Sequence, residues 1–379
     1  DAVASILSEK AAQLNQEAVD NGLVRENGAF KIIKGEQGIE VNVEDSIAAI
    51  ENYISSEWDG GNAEIELVAE VVEPRGSEED LEQITDMMGS YTTNYKDSGQ
   101  NRCDNISNAT SKINGTLLYP GEEFSVYEAI GPLDAANGYE LAGAYENGQT
   151  VESYGGGVCQ VSTTLYNAVI LAELEITQRS NHSMIVSYVK PSMDAAIAGD
   201  YKDLRFVNNQ DIPIYIEGYT EGKNVTFKIY GHDTRPSNRV VTYESEVVSE
   251  QDPGTQYVAT GDPAGYMKTA QGKHIGYVAR LWKVVTVDGV EESREIFNKS
   301  TYKASPKIVN VGTASADPNV SAVIGAALAT GDEATINAAV APYAASAAAI
   351  LNPAPVEQPS QEEQAITGTV DESQITGGE

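Results

Sequence analysis

Apolar residues recur at helical spacing in Val161, Leu165, Ala168, Val169 and Ala172, which predicts a helix with one buried face beginning near Cys159. Downstream the period changes to two. Strands are expected near Ser183–Val189, Asp203–Val207, Ile212–Gly218 and Asn224–Tyr230, with turns at Asn208-Asn209-Gln210 and Glu221-Gly222. One helix followed by an antiparallel meander is an α+β arrangement.

Upstream, Ala2–Asp20 reads as a helix closed by Asn21-Gly22. Phe30–Ile33 and Gly38–Val41 read as a hairpin around Gly35, Asp45 as the cap of a helix reaching Ser55, and Ala63–Val72 as a strand. Beyond the central region, Val240–Tyr243, Gly276–Val287 and Ser300–Val311 predict a small all-β module. The expected organisation is a small α+β domain over 1–73, a linker or helix over 74–89, a central domain over 90–232 and a β-rich module over 238–312. The remaining 313–379 is Ala-rich and weakly helical to 351, then a Pro-, Gln- and Glu-rich tail expected to be disordered.

Charge narrows the partners. The 379 residues carry a formal net charge of -33, with no Lys or Arg after Lys307. Such acidity argues against binding nucleic acid or an anionic membrane through bulk electrostatics. No stretch reads as the roughly 20 apolar residues of a membrane span. The start, Asp1-Ala2-Val3, reads as a cut inside a longer protein that could have carried an N-terminal membrane anchor. Two cysteines and three histidines, none at metal-ligand spacing, argue for no metal and no cofactor.

The chemistry concentrates at Cys159, in the run Gly155-Gly156-Gly157-Val158-Cys159-Gln160. A thiol in the first helical turn meets unpaired N–H groups and the positive end of the helix dipole, which favour thiolate. Its competing readings are a space-filling cysteine or a disulfide with Cys103. A thiol nucleophile needs a base, and His182 is the histidine nearest in sequence. The orienting group is expected to be Asp203, on the strand face opposite Leu204 and Phe206, with Asp194 and Asp200 as competitors. The Cys159 N–H with Gln160 or Ser183 would stabilise an oxyanion. The glycine run leaves room for a ligand backbone, and Gly156, Gly157, Gln160, Ser183 and Tyr127 are the candidate substrate contacts.

Residues about 90 to 232 resemble the VanW domain family of Gram-positive cell-surface proteins. The resemblance rests on Asn101-Arg102, Asn105-Ile106, Asn114-Gly115, Pro120-Gly121-Glu122, Gly138-Tyr139 and the run GGGVCQVSTTLYN over Gly155–Asn167. It extends through Arg179, His182-Ser183, Asp194-Ala195, Asp203-Leu204-Arg205-Phe206 and Asn208-Asn209. Residues 1 to about 73 resemble the peptidoglycan-binding domain that often precedes VanW domains.

The resemblance implies a cell-wall-associated protein outside the membrane, and a peptidoglycan L,D-transpeptidase that forms 3→3 cross-links. Cys159 would be its nucleophile, His182 its base, and donor and acceptor stem peptides, with glycan strands, its partners. The rival readings are a non-catalytic wall-binding scaffold with a structural Cys159, and a cysteine peptidase hydrolysing stem peptides.

Overall fold

A computed structural model describes residues 2–146, 149–199 and 201–351. The expected disordered tail from 352 onward lies outside these residues. The chain divides into two compact units, one of Asp1–Asp252 with His274–Ser305, the other of Pro253–Lys273 with Pro306–Glu379.

The first unit opens with helix α1 (Ala2–Leu14), hairpin β1 (Gly22–Glu26) and β2 (Ala29–Ile33), strand β3 (Gly38–Val41), helix α2 (Val43–Ser56) and strand β4 (Ala69–Val72). Three expectations are corrected here. The first helix stops at Leu14, because Gln16 and Val19 bridge to Ile39 and Glu36 instead of continuing the helix. The hairpin turns at Asn27-Gly28, both with positive φ, while β3 pairs with β4. Asn42, not Asp45, caps α2, since its side chain accepts the Asp45 N–H at 3.0 Å.

The central region runs α3 (Glu78–Glu82), β5 (Asp86–Asn94), α4 (Gln100–Ile113), β6 (Thr116–Leu118), β7 (Glu123–Ser125), α5 (Val126–Ile130), β8 (Leu141–Glu146) and β9 (Gln149–Tyr154). Then come α6 (Val158–Leu171), β10 (Glu175–Gln178), β11 (Arg205–Val207), β12 (Ile214–Glu221) and β13 (Asn224–Gly231). A four-stranded antiparallel sheet has the order β5-β13-β12-β6, and a three-stranded one the order β10-β11-β7. Only β12 and β13 form the expected meander; their sheet partners come from the chain before α6.

Helix α6 is nearly all buried. Val161, Leu165, Ala168 and Val169 join Ile106 and Ile113 of α4 and Val225, Phe227 and Ile229 of β13 in one core. Gly89 lets β5 come close, because a Cβ there would lie 2.2 Å from the Ala168 carbonyl. Thr93 and Thr164 share a hydrogen bond across the same contact at 2.7 Å.

The segment expected as a strand over Ser183–Val189 belongs to no sheet. Met184 and Val186 are nonetheless buried, so the alternation reports packing rather than pairing.

Strands β14 (Arg239–Gln251), β15 (Thr255–Pro263), β16 (Met267–Gln271), β17 (Gly276–Val287), β18 (Val290–Tyr302) and β19 (Lys307–Ala314) follow. The stretch expected as one strand over Ser300–Val311 is the end of β18, a break at Pro306 and most of β19. In the first unit β14, β17 and β18 form an antiparallel sheet. Glu173, just after α6, is paired with Arg239 of β14 and Lys283 of β17. In the second unit β19 lies between β15 and β16, and helices α7 (Pro318–Thr330), α8 (Glu333–Val340) and α9 (Ala344–Leu351) follow. Val309, Val311, Ile324, Ile336 and Val340 make its core. Glu333–Leu351 is long and apolar enough to cross a membrane by length and composition, unlike the expectation from sequence.

Candidate functional site

One face of α6 builds the site. Cys159, Thr163 and Asn167 stand four residues apart, so they lie above one another about 6 Å apart along the axis. Residues two apart in an extended chain are spaced by nearly the same distance, about 6.6 Å. The segment 193–197 runs along this ladder in the opposite direction. Asn167 donates to the Met193 carbonyl at 2.7 Å, Thr163 bonds the Ala195 N–H and carbonyl, and the Cys159 sulfur meets the Ile197 N–H and carbonyl at 3.5 and 3.4 Å.

The intervening backbone groups point away from α6. Arg179 Nε donates to the Asp194 carbonyl at 2.7 Å, and the Ala196 N–H donates to the Ser180 carbonyl at 2.8 Å. Cys159 and Asp194 are thereby held on two sides of the same short segment.

His182 joins them. Its Nδ1 lies 2.7 Å from Asp194 Oδ2, and its backbone N–H donates to the same oxygen at 2.7 Å. Nδ1 being engaged, Nε2 is the nitrogen left to interact with the Cys159 thiol, and each of the two groups shifts the other's pKa. Asp194 is fully buried, and its Oδ1 accepts from Arg179 and from the Tyr302 hydroxyl.

The charges follow from this geometry. Burial, the largest influence on Cys159, pushes its thiol up. The hydrogen bond and charge of His182, with the Ile197 N–H, outweigh it and leave the thiol below its ordinary value. Burial favours a neutral His182, but the bonds to Asp194 and Cys159 carry its pKa up to about 9. Burial likewise raises Asp194, and the His182 contact, with Arg179 nearby, brings it below its usual range. The arrangement shifts the pair towards thiolate and imidazolium relative to either group alone.

Cys159 is partly exposed and opens on a cleft of about 1300 Å³. Lys96, Arg102, Lys202 and Lys303 line it against one carboxylate, Asp97, among the described residues. Arg102 meets two neutral acceptors, Ser98 Oγ at 2.6 Å and Gln160 Oε1 at 2.9 Å. In a chain of charge -33 this is a local reversal of sign.

Several expected site residues are placed differently. Asp203 is not the partner of His182. It is buried beside α5, where it accepts from Ser125 Oγ, the Tyr127 N–H and the Leu204 N–H and pairs with Arg205. Its own N-terminal-turn contacts use up the carboxylate, whereas Asp194 reaches the imidazole. Asp200 lies outside the described residues. Tyr127 packs against the main core and is not on the cleft wall.

Gln160 lines the cleft, but its amide donates to Thr93 Oγ1 and the Asn94 carbonyl, both at 3.0 Å, and is not free for an oxyanion. Ser183 is on the wall. Gly156 and Gly157 also line it, yet the space a side chain would need is filled by protein. A Cβ at Gly156 would lie 2.5 Å from the Ala142 carbonyl, and Gly157, with φ of 116°, abuts Arg102 and Ile106. The glycine run therefore serves close packing around the helix start. Cys103 and Cys159 are both free thiols, so the disulfide reading is not realised. Tyr302 and Arg179 complete the constellation without having been read as site residues; nothing local in the sequence marks Tyr302.

Fold and site together define an α+β protein with a Cys–His–Asp array, its Asp and His buried and its Cys partly exposed, on the wall of a basic cleft. The family described as "VanW like protein" matches residues 101–230, "G5 domain" matches 242–314 and "Putative peptidoglycan binding domain" matches 1–59. The uncharacterized protein YoaR of Bacillus subtilis (strain 168) is 32% identical over 214 residues, 56% of this chain and 69% of that protein. Vancomycin B-type resistance protein VanW of Enterococcus faecalis (strain ATCC 700802 / V583) is 30% identical over 118 residues, 30% of this chain and 42% of that protein. A solved IgA1 protease G5 domain aligns with 20% of this chain and 94% of its own at 24% identity, with a TM-score of 0.14. The chain belongs to the VanW-like family. With its peptidoglycan-binding and G5 matches it is a cell-wall-related protein of the cell surface.

Proposed function

We propose that the chain is a cysteine-dependent peptidoglycan L,D-transpeptidase. The observation that carries this reading is the Cys159–His182–Asp194 array opening on a cleft rich in cations. Cys159 thiolate attacks the carbonyl between the third and fourth residues of a donor stem. The carbon–nitrogen bond breaks, the terminal D-amino acid leaves as an amine with the proton from His182, and a thioester remains. The side-chain amine of a neighbouring stem attacks that thioester while His182 takes its proton, and the thiolate is released as the 3→3 bond forms.

Asp194 keeps Nδ1 protonated and Nε2 directed at the sulfur in both steps. The Cys159 N–H supports the oxyanion, the Val158 and Gln160 N–H groups being taken by the Gly155 and Gly157 carbonyls. Lys96, Arg102, Lys202 and Lys303 suit the carboxylates that stem peptides carry. The N-terminal domain would hold the enzyme against glycan.

The cleft is wide enough to admit water, which favours hydrolysis of the same thioester as the second reading. Incubation with purified sacculi followed by muropeptide separation distinguishes them. New 3→3 dimers are expected; loss of dimers would mean a peptidase, and no change would mean a scaffold.

A further inference from the structure

Three side chains of β18, Asn298, Ser300 and Tyr302, alternate along the strand and therefore share one face. All three reach into the central region. Asn298 Nδ2 donates to Tyr166 Oη of α6 at 2.7 Å and to the Ser192 carbonyl at 3.1 Å. Ser300 Oγ accepts from Arg179 at 2.9 Å. The Tyr302 hydroxyl accepts the Ser192 N–H at 2.7 Å and donates to Asp194 Oδ1. The backbone contributes as well, for the Lys303 N–H donates to the Ser183 carbonyl at 2.7 Å, and Asn181 donates to the Thr301 carbonyl at 2.9 Å. Both loops that carry the array, around His182 and around Asp194, are thus fastened to one strand end.

Ser192 adds a reason for the fastening. It has φ of 67°, a conformation costly for a residue other than glycine, and it is fully buried. The surroundings must hold it there, and Tyr302 and Asn298 grip its N–H and carbonyl together.

We propose that Tyr302 is a positioning residue for Asp194, so that the sheet of β14, β17 and β18, within the region matching the G5 family, completes the site rather than serving only as an appended module. The proposal rests on the reading of Cys159 and His182 as a working pair. Tyr302 is 2% exposed, and its hydroxyl has both of its bonds inside the site. Removing that hydroxyl leaves Arg179 as the sole side-chain donor to Asp194 Oδ1 among the described residues, and frees the Ser192 turn to move. Asp194 then holds the imidazole less firmly against the sulfur.

Other groups that face the pair are Tyr188, edge-on to the His182 ring, Tyr166 on α6, and the cleft cations Arg102, Lys202 and Lys303. Tyr166 shares Asn298 with the Ser192 carbonyl, but none of these groups bonds the Tyr302 hydroxyl, so the test can isolate it.

The test compares full-length wild type, Tyr302→Phe and Tyr243→Phe by the pH profile of Cys159 alkylation with iodoacetamide, on a Cys103→Ser background, alongside thermal denaturation. Tyr243 of β14 is the control: its hydroxyl donates to the Ile170 carbonyl at the other end of α6, with no route to Asp194. Tyr302→Phe is expected to move the profile towards that of an ordinary thiol by about one pH unit, roughly a tenfold loss of thiolate at neutral pH. Tyr243→Phe is expected to lower the melting temperature and leave the profile in place. If Tyr302→Phe does not fold, Asn298→Ala, which lets go of the Ser192 carbonyl in the same turn, takes its place with the same expected direction. An ordinary profile in wild type overturns the dyad and this proposal with it. A perturbed wild-type profile that the variant leaves unmoved, or that Tyr243→Phe moves equally, overturns the proposal alone.

Discussion

His182 has its protonated form stabilised by two partners at once, and the consequence is visible in stability as well as chemistry. Its pKa rises from 6.5 to about 9 on folding, so its contribution is fully present below 6.5 and is lost as pH rises through about 9. The difference in melting temperature between wild type and His182→Gln is expected to be largest at the acid end of that window and to shrink across it. Asp194 has the opposite sign. Its depressed pKa gives stability that is present above 3.8 and lost as pH falls through the lower folded value.

The two aspartates separate function from structure. Asp194→Asn is expected to cut Cys159 acylation on the order of 10²-fold. Asp203→Ala, which strips donors from a buried carboxylate site beside α5, should cost about 2–4 kcal/mol of stability and leave the acylation rate of the folded fraction unchanged. Choosing Asp203 from sequence used strand alternation, a local signal. Asp194 wins because the turn at Ser192 and the ladder along α6 bring it there, and neither is encoded locally.

At the scale of elements, α6 was readable because a single run of apolar residues at period 3.6 dominates it, and the glycines before it mark its start. The segment over Ser183–Val189 misled because Met184 and Val186 alternate into the core without any strand to pair with. One bond that holds it comes from more than a hundred residues later, the Lys303 N–H on the Ser183 carbonyl. The same dependence appears at Glu173, where burial raises the carboxyl but Arg239 and Lys283 pull it down to about 2. The attraction is present above its ordinary value of 4.5 and is lost as pH falls towards about 2. Glu173→Gln is expected to cost about 1.5–3 kcal/mol at neutral pH, with less effect under acid, in denaturant melts of the full chain.

For the whole molecule, the contrast between an acidic chain and a basic cleft is the feature that most constrains a substrate. The composition alone excludes anionic partners in bulk, but it hides the four cations that the fold gathers beside Cys159. Lys303→Gln is expected to weaken binding of a carboxylate-bearing muropeptide about tenfold, and added salt should reduce the difference between wild type and variant. Calorimetric titration at two ionic strengths reads both. The central claim is that Cys159 forms an acyl-enzyme. Intact-mass analysis after exposure to a tetrapeptide muropeptide or a carbapenem should show an acyl adduct on the wild-type chain and none on Cys159→Ala; a demonstrably free Cys159 thiol that forms no adduct would contradict the account.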